Sequence, residues 1–353
     1  MLALAPVRAT AQWQTQSSGT TASLRGLSVV TGRVAWASGT RGTVVRTTDG
    51  GATWQVISVS GADSLDFRDI AAFDARRAYV LSIGNGAASR IYKTLDGGAT
   101  WTLQFTNTDT AAFYDCLDFW SVERGMAMSD PVQGRFRVIA TSDGGATWTE
   151  LPAGRMPPAL AGEAAFAASG TCLVVGRPDD VWIASGAGSE ARVYRSGTGG
   201  INWQVASTPV RSGAGARGIF SIAFADGRRG VAVGGDYQAP TDTTANVALT
   251  DDGGATWRLP PGRPMGYRSA VAYLPGTDGR VLVAVGTSGS DYSTDGGETW
   301  TAIDTVGFNT VAFARAGAPA GWAVGPGGRI AKWGRAPKDA RIETRIRVRK
   351  EPP

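Results

Sequence analysis

The sequence predicts an all-β fold, a seven-bladed β-propeller of four-stranded antiparallel blades, on three observations. First, the pattern S/T-x-D-G-G-x-T-W occurs five times, at 47–54, 94–101, 141–148, 250–257 and, with Glu298 before the Thr, at 293–300. A worn copy at 196–203 keeps both glycines and Trp203 but has no Asp. Second, Trp54, Trp101, Trp148, Trp203, Trp257 and Trp300 follow one another at 47, 47, 55, 54 and 43 residues. An even period in this range signals stacked or radial repeats. Third, the last unit lacks a fourth strand, while Gln12-Trp13-Gln14 resembles Thr53-Trp54-Gln55 with no strands before it. The first strand therefore completes the last blade and closes the ring, which leaves no open sheet edge between them.

Each copy reads as a hairpin turn. β-Formers precede it and follow it, as in Val44-Val45-Arg46 and Gln55-Val56-Ile57. Gly-Gly supplies the positive-φ positions that a reversal needs. The carboxylates of Asp49, Asp96, Asp143, Asp252 and Asp295 can accept backbone N–H bonds of their own turns. The tryptophans have the area to fill gaps between neighbouring sheets. A calcium loop would need several more oxygen ligands and a closing Glu, which these turns lack.

Taken in order, blade one is expected at 24–30, 34–38, 43–47 and 54–59, and blade two at 67–73, 78–82, 90–94 and 101–105. Blade three takes 114–120, 125–128, 136–141 and 148–151. Blade four takes 163–168, a long stretch 172–184, then 191–195 and 203–206. Blade five takes 219–225, 230–234, 246–250 and 257–259, and blade six 267–274, 281–285, 290–294 and 300–303. Blade seven has 308–314, 321–324 and 329–333, completed by the strand at Trp13. The longer intervals around Trp203 imply insertions in blades four and five.

Composition narrows the function. At 353 residues and 42% hydrophobic the chain can bury a large core. Its 49 glycines and 17 prolines fall between apolar runs, as turns do. No apolar run approaches the ~18 residues of a membrane span. There is no histidine, which excludes Ser-His-Asp and Cys-His catalysis and every His-ligated metal site. Neither a metal nor a cofactor is expected. Cys116 and Cys172 are too few for structural zinc; they form one disulfide or remain two buried thiols. The apolar start Met1-Leu2-Ala3-Leu4-Ala5-Pro6, followed by Ala9-Thr10-Ala11, reads as the tail of a secretory signal, so an exported, monomeric protein is expected. The net charge of +5 is concentrated in the tail, where 335–353 carries seven cations and three anions. The body is not a nucleic-acid binder. The divisions are thus a leader at 1–11, a propeller at 12–334 and a basic tail at 335–353.

Antiparallel order locates a site. If the Asp-Gly-Gly turns join strands three and four, the turns joining one and two share their face. The starts of the inner strands then rim the channel on the opposite face. Aligned, those starts are Arg25, Arg68, Asp115, Glu163, Phe220, Arg268 and Asn309, and the two-to-three loops add Asn85, Asp130, Asp236 and Tyr237. Such a rim can clamp a carboxylate, a phosphate or a polar peptide. Equally, its charges can neutralise one another and solvate a narrow channel.

The repeat resembles the Asp-box, or BNR, repeat of β-propellers. From Gln12 to Gly334 the chain resembles the photosystem II stability/assembly-factor-like propellers. The likeness is carried by Leu24-Arg25-Gly26-Leu27-Ser28, by Gly321-Trp322-Ala323-Val324-Gly325 and by the first Asp-box with Arg46 before it. Phe113-Tyr114-Asp115-Cys116-Leu117-Asp118-Phe119-Trp120 and Met128-Ser129-Asp130-Pro131 resemble the bacterial branch, which carries an "oxidoreductase" label; no Gly-x-Gly-x-x-Gly opens a helix here to support it. The resemblance implies a protein partner and an assembly role. The Asp-box also resembles that of sialidases, which implies an alternative: Arg25, Arg68 and Arg268 on a substrate carboxylate, with Tyr114 or Tyr237 and the carboxylates Asp115 and Glu163 as reacting groups on a glycan. The Phe/Tyr-Arg-Ile-Pro motif of sialidases is absent, and Leu24-Arg25-Gly26-Leu27 stands instead.

Overall fold

The computed structural model describes residues 12–314 and 319–334. The leader read at 1–11 and the tail at 335–353 lie outside them. Seven antiparallel sheets follow in chain order, each starting at its innermost strand and working outward. Blade one is Leu24–Val29, Ala35–Gly39, Thr43–Thr47 and Gln55–Ser58; blade two is Phe67–Ala72, Ala78–Ser82, Arg90–Thr94 and Thr102–Thr106. Blade three is Tyr114–Phe119, Gly125–Val132, Arg135–Thr141 and Thr149–Glu150; blade four is Leu173–Gly176, Asp180–Ala184, Ala191–Ser196 and Gln204–Thr208. Blade five is Arg217–Phe224, Gly230–Asp236 and Val247–Thr250; blade six is Ala270–Tyr273, Leu282–Gly286, Gly289–Ser293 and Thr301–Asp304. Blade seven is Thr310–Phe313, Gly321–Val324 and Ile330–Trp333, with Trp13–Gln16 as its outer strand. Trp13 pairs with Trp333 and Gln16 with Ile330, so the ring closes as expected.

The Asp-box turns are built as the repeat implies. In the first, Gly50 and Gly51 sit at φ 80° and 84°, a region that costs other residues a Cβ clash. Thr53 donates to Asp49 through its backbone N–H (3.0 Å) and its hydroxyl (2.6 Å), and the Thr47 hydroxyl donates to Asp49 Oδ1 (2.8 Å). The same bonds recur around Asp96, Asp143, Asp252 and Asp295. In the worn copy the Thr198 hydroxyl accepts the Asn202 N–H (2.9 Å) in the missing carboxylate's place. The leading glycine of each turn donates to the one-to-two turn of its own blade, as Gly50 does to Arg33 and Gly97 to Arg76. Both turn types therefore share one face. Each tryptophan packs onto the preceding blade: Trp54 against Trp322, Trp148 against Tyr79, Trp203 against Met126 and Met128.

Two blades depart from the expected division. Blade five lacks a full outer strand; the stretch at 257–259 makes only the bridge Leu249↔Arg258. In blade four the inner strand is not 163–168. The stretch 172–184 folds into two strands, with Leu173 opposite Ile183 and Gly176 opposite Asp180. Residues 163–168 make one bridge, Ala164↔Gly186, and then turn inward. The disulfide Cys116–Cys172 ties the inner strands of blades three and four, which resolves the open cysteine question.

Candidate site at the channel mouth

The mouth residues are set by a repeated backbone irregularity. In blades one, two, three and five the inner strand shifts register around Arg25, Arg68, Asp115 and Phe220. Such a bulge leaves one residue outside the ladder and re-aims its side chain. All four line a cavity of about 400 Å³ at the mouth, together with Asn309 of blade seven. Asp130 and Tyr237, both expected from the two-to-three loops, line it too.

Four expected mouth residues, Arg268, Glu163, Asp236 and Asn85, stand elsewhere, as does Tyr114. Register places Ala270 opposite Val285 as Ser221 stands opposite Val233, so Ser269, not Arg268, takes the rim position in blade six. A one-residue slip turns a side chain to the other face of its strand. Arg268, 1% exposed, is held in a buried ion pair, its Nε donating to Asp291 Oδ2 at 2.5 Å. Glu163 is likewise buried. It is ion-paired with Arg192 and accepts bonds from the hydroxyls of Ser185 (2.5 Å) and Tyr194 (3.1 Å). Asp236 pairs with Arg217 at 2.8 Å and does not line the cavity. Asn85 bonds the Thr110 carbonyl (3.3 Å) outside it, and Tyr114 packs edge-on against Phe105 within the sheets. The three-arginine clamp with an Asp115–Glu163 pair is therefore not assembled.

What fills blade four's place at the mouth is the inward-turning stretch. The Arg68 Nη1 donates to the Ala167 carbonyl (3.1 Å) and the Arg25 Nη1 to the Ala168 carbonyl (3.3 Å). Asp130 Oδ1 accepts the Ala165 N–H (2.7 Å). Ser169 then bonds the Ser269 carbonyl (2.8 Å), and its own carbonyl accepts the Thr310 hydroxyl (3.2 Å). The stretch thus reaches blades one, two, three, six and seven and crosses the axis. Gly170 makes this passage possible: a Cβ there would lie 2.3 Å from Asp69 Oδ1, at φ 75°. Beyond it, a second cavity of about 330 Å³ opens toward the Asp-box face, lined by 169–171 and deeper residues of the inner strands.

The mouth's chemistry is uneven. Phe166 of the crossing stretch stacks on Phe220 at 3.8 Å, and Tyr267 meets Phe220 edge-on at 4.8 Å. Asp115 is 1% exposed. Burial, and then the neighbouring Asp130 carboxylate, holds it well above the usual carboxylate range. Burial pushes Asp130 up to about 6. Arg25 is lowered by burial and by Arg68. Among the described residues no group of three His, Cys, Asp or Glu side chains is arranged to hold a metal. No helix among them is long and apolar enough to cross a membrane.

Phe166, Tyr267 and Ser269 were not legible as mouth residues. One signal was present. Cys172-Leu173 repeats Cys116-Leu117, and matching them puts Thr171 opposite Asp115 in the alignment and frees 163–168 from the sheet.

The BNR/Asp-box repeat family model matches residues 291–302. No curated protein matches the sequence. Among solved structures, YCF48 bound to D1 peptide superposes with a TM-score of 0.65 at 15% identity, over 94% of this chain and 99% of that one. YCF48 from Cyanidioschyzon merolae gives 0.60 at 19% identity, over 92% and 99%. An ancestral GH74 enzyme gives 0.62 at 15% identity, over 92% of this chain and 46% of that one. The chain is an Asp-box propeller that resembles YCF48 in fold, as the sequence resemblance implied.

Proposed function

We propose that this chain is an exported, monomeric, non-catalytic propeller that binds a segment of a protein partner at its channel mouth, in an assembly role. One observation carries the reading. The mouth's polar groups already hold polypeptide backbone: Arg25 and Arg68 donate to consecutive carbonyls, and Asp130 accepts an N–H two residues before them. Donors for C=O groups and an acceptor for N–H are what recognition of an extended segment requires. The peptide-bound state of YCF48, a propeller of the same fold, supports this choice of ligand. A GH74 enzyme shares the fold as well, and fold alone does not select between binding and hydrolysis. The hydrolase reading has less support, because Glu163 and Arg268 are held in ion pairs away from the cavity.

Photo-crosslinking tests the proposal. A benzoylphenylalanine at Tyr237, which is 47% exposed at the mouth, is expected to give a discrete adduct with one native protein. The same probe at Leu95, exposed in an Asp-box turn on the opposite face, is expected to give none. Equal adducts from both positions would remove the mouth as the binding surface. Turnover of a fluorogenic glycoside abolished by Asp115→Asn would overturn the non-catalytic reading.

A further inference from the structure

The hydrogen-bonding capacity of the mouth is unequal between its charges. Arg68 is paired with Asp66 at 2.9 Å and also bonds the Ala167 carbonyl. Arg25 bonds the Ala168 carbonyl, and Asp130 accepts the Ala165 N–H. Asp115 differs from these. It lines the cavity at 1% exposure, and its buried Oδ2 meets no donor among the described residues. A buried carboxyl oxygen in that condition is costly unless a donor reaches it. The bulge of blade three, not the ladder, puts it there.

Charge and shape around Asp115 point the same way. The groups that act on the mouth are Arg25 and Arg68 on one side, and Asp66, Asp115 and Asp130 on the other. Fully ionised, they are one positive charge short of neutrality. The remaining ionisable groups at the cavity are the phenols Tyr237 and Tyr267, and burial pushes Tyr267 up. Phe166, Phe220 and Tyr267 supply an aromatic wall, whose ring faces attract a cation and whose area suits an alkyl stem.

We propose that the mouth cavity receives an alkylammonium group, which donates to the Asp115–Asp130 carboxyl pair against the Phe166–Phe220–Tyr267 wall. This rests on the reading of the mouth as a polypeptide-binding surface, on which the ammonium is a lysine side chain of the bound segment. The ammonium supplies the donor that Asp115 Oδ2 lacks and the positive charge that balances the rim once the pair is ionised. Its arrival favours ionisation of the pair, so binding releases a proton to solvent.

Calorimetry with small probes tests this on the intact chain. Nα-Acetyl-lysine N-methylamide is expected to bind at pH 7.5 and at least tenfold more weakly at pH 5. Its heat is expected to differ between phosphate and Tris, because a proton is released. The norleucine analogue, which keeps the stem and lacks the charge, should give no heat. Asp115→Asn should weaken the lysine probe at least tenfold, whereas Asp226→Asn, in a turn on the Asp-box face, should not. Should Asp115→Asn fail to fold, the pH and buffer dependence of the unaltered chain decides the matter. Tighter binding of the glutamate analogue, or of the arginine analogue, would overturn the lysine assignment. A discrete adduct at Tyr237 with no heat from the lysine probe leaves the polypeptide reading standing and removes the ammonium site. Heat without an adduct keeps the site and removes the polypeptide reading.

Discussion

Asp115 shows how a single residue's environment sets its behaviour. Its burial beside Asp130 raises the pair's affinity for protons in the folded chain. The unfolded chain ionises near pH 4, whereas folded Asp130 holds its proton until about 6. Between those values the folded state binds more protons, so stability falls as pH rises. The loss belongs to the Asp115–Asp130 pair as a unit and sets in as pH rises past about 4. Asp115→Asn removes one of the two charges. It is expected to raise the urea midpoint at pH 7.5 and to leave it nearly unchanged at pH 4, where the pair is already protonated. A lower midpoint at pH 7.5 would mean that the pair stabilises the fold. The Asp-box carboxylates behave oppositely. The Thr147 hydroxyl and N–H hold Asp143 down to about 2, so its contribution is present above pH 4 and is lost as pH falls toward 2.

At the scale of the strand, register decides what a side chain does. Arg268 and Ser269 are neighbours in sequence, yet Ser269 lines the mouth and Arg268 is sealed beside Asp291. Asp291→Asn would leave a buried guanidinium without its counter-charge, and is expected to cost about 3–5 kcal/mol in urea unfolding. Ser269→Ala loses bonds to the carbonyls of Val285 (3.3 Å) and Asn309 (2.7 Å) and is expected to cost about 1 kcal/mol. A similar cost for the two would mean that the ion pair is not the constraint described. The apolar run 270–274 marks a strand, but the adjacent polar residues Arg268 and Ser269 before it leave its register open by one residue, and that one residue separates rim from interior. A different cause put Glu163 on the rim: Leu173–Gly176, not 163–168, is the inner strand of blade four. The apolar residues of 163–168 read as a strand, although they are used to cross the channel against Phe220, Arg25 and Arg68.

For the molecule as a whole, closure is the feature on which the blades jointly depend. Trp13 stacks edge-on with Trp333 at 4.9 Å and bonds Ser290 of blade six (3.2 Å), as each Asp-box tryptophan reaches the blade before its own. Gln16 Oε1 accepts from both Trp54 (3.0 Å) and Trp322 (2.9 Å), joining blade one to blade seven. Trp13→Ala is expected to cost about 3–5 kcal/mol. A chain starting at Ser17 bares the edge of Ile330–Trp333 and is expected to self-associate on size-exclusion chromatography with light scattering. A monomeric, equally stable chain without residues 12–16 would show that closure is dispensable. The Cys116–Cys172 disulfide spans 56 residues. Replacing both by Ser is expected to cost about 4 kcal/mol by loop entropy.

Local chemistry is what the sequence determines here by itself. Asp-Gly-Gly needs only its own Thr, Gly and backbone to form a turn, and the recurrence of that turn sets the strand order, the blade count and the sharing of the first and last strands. The rim residues Arg25, Arg68, Asp115 and Asn309 were legible because their blades keep the repeat. Glu163, Arg268 and Asp236 were not, because one strand's phase and one insertion's path depend on partners far away in the chain. Only the folded ring brings Asp69 to within reach of Gly170, or the Ala167 and Ala168 carbonyls beneath two guanidinium groups. A turn is decided by neighbours in sequence; the contents of a central channel are decided by which side chains seven separate blades bring to one axis.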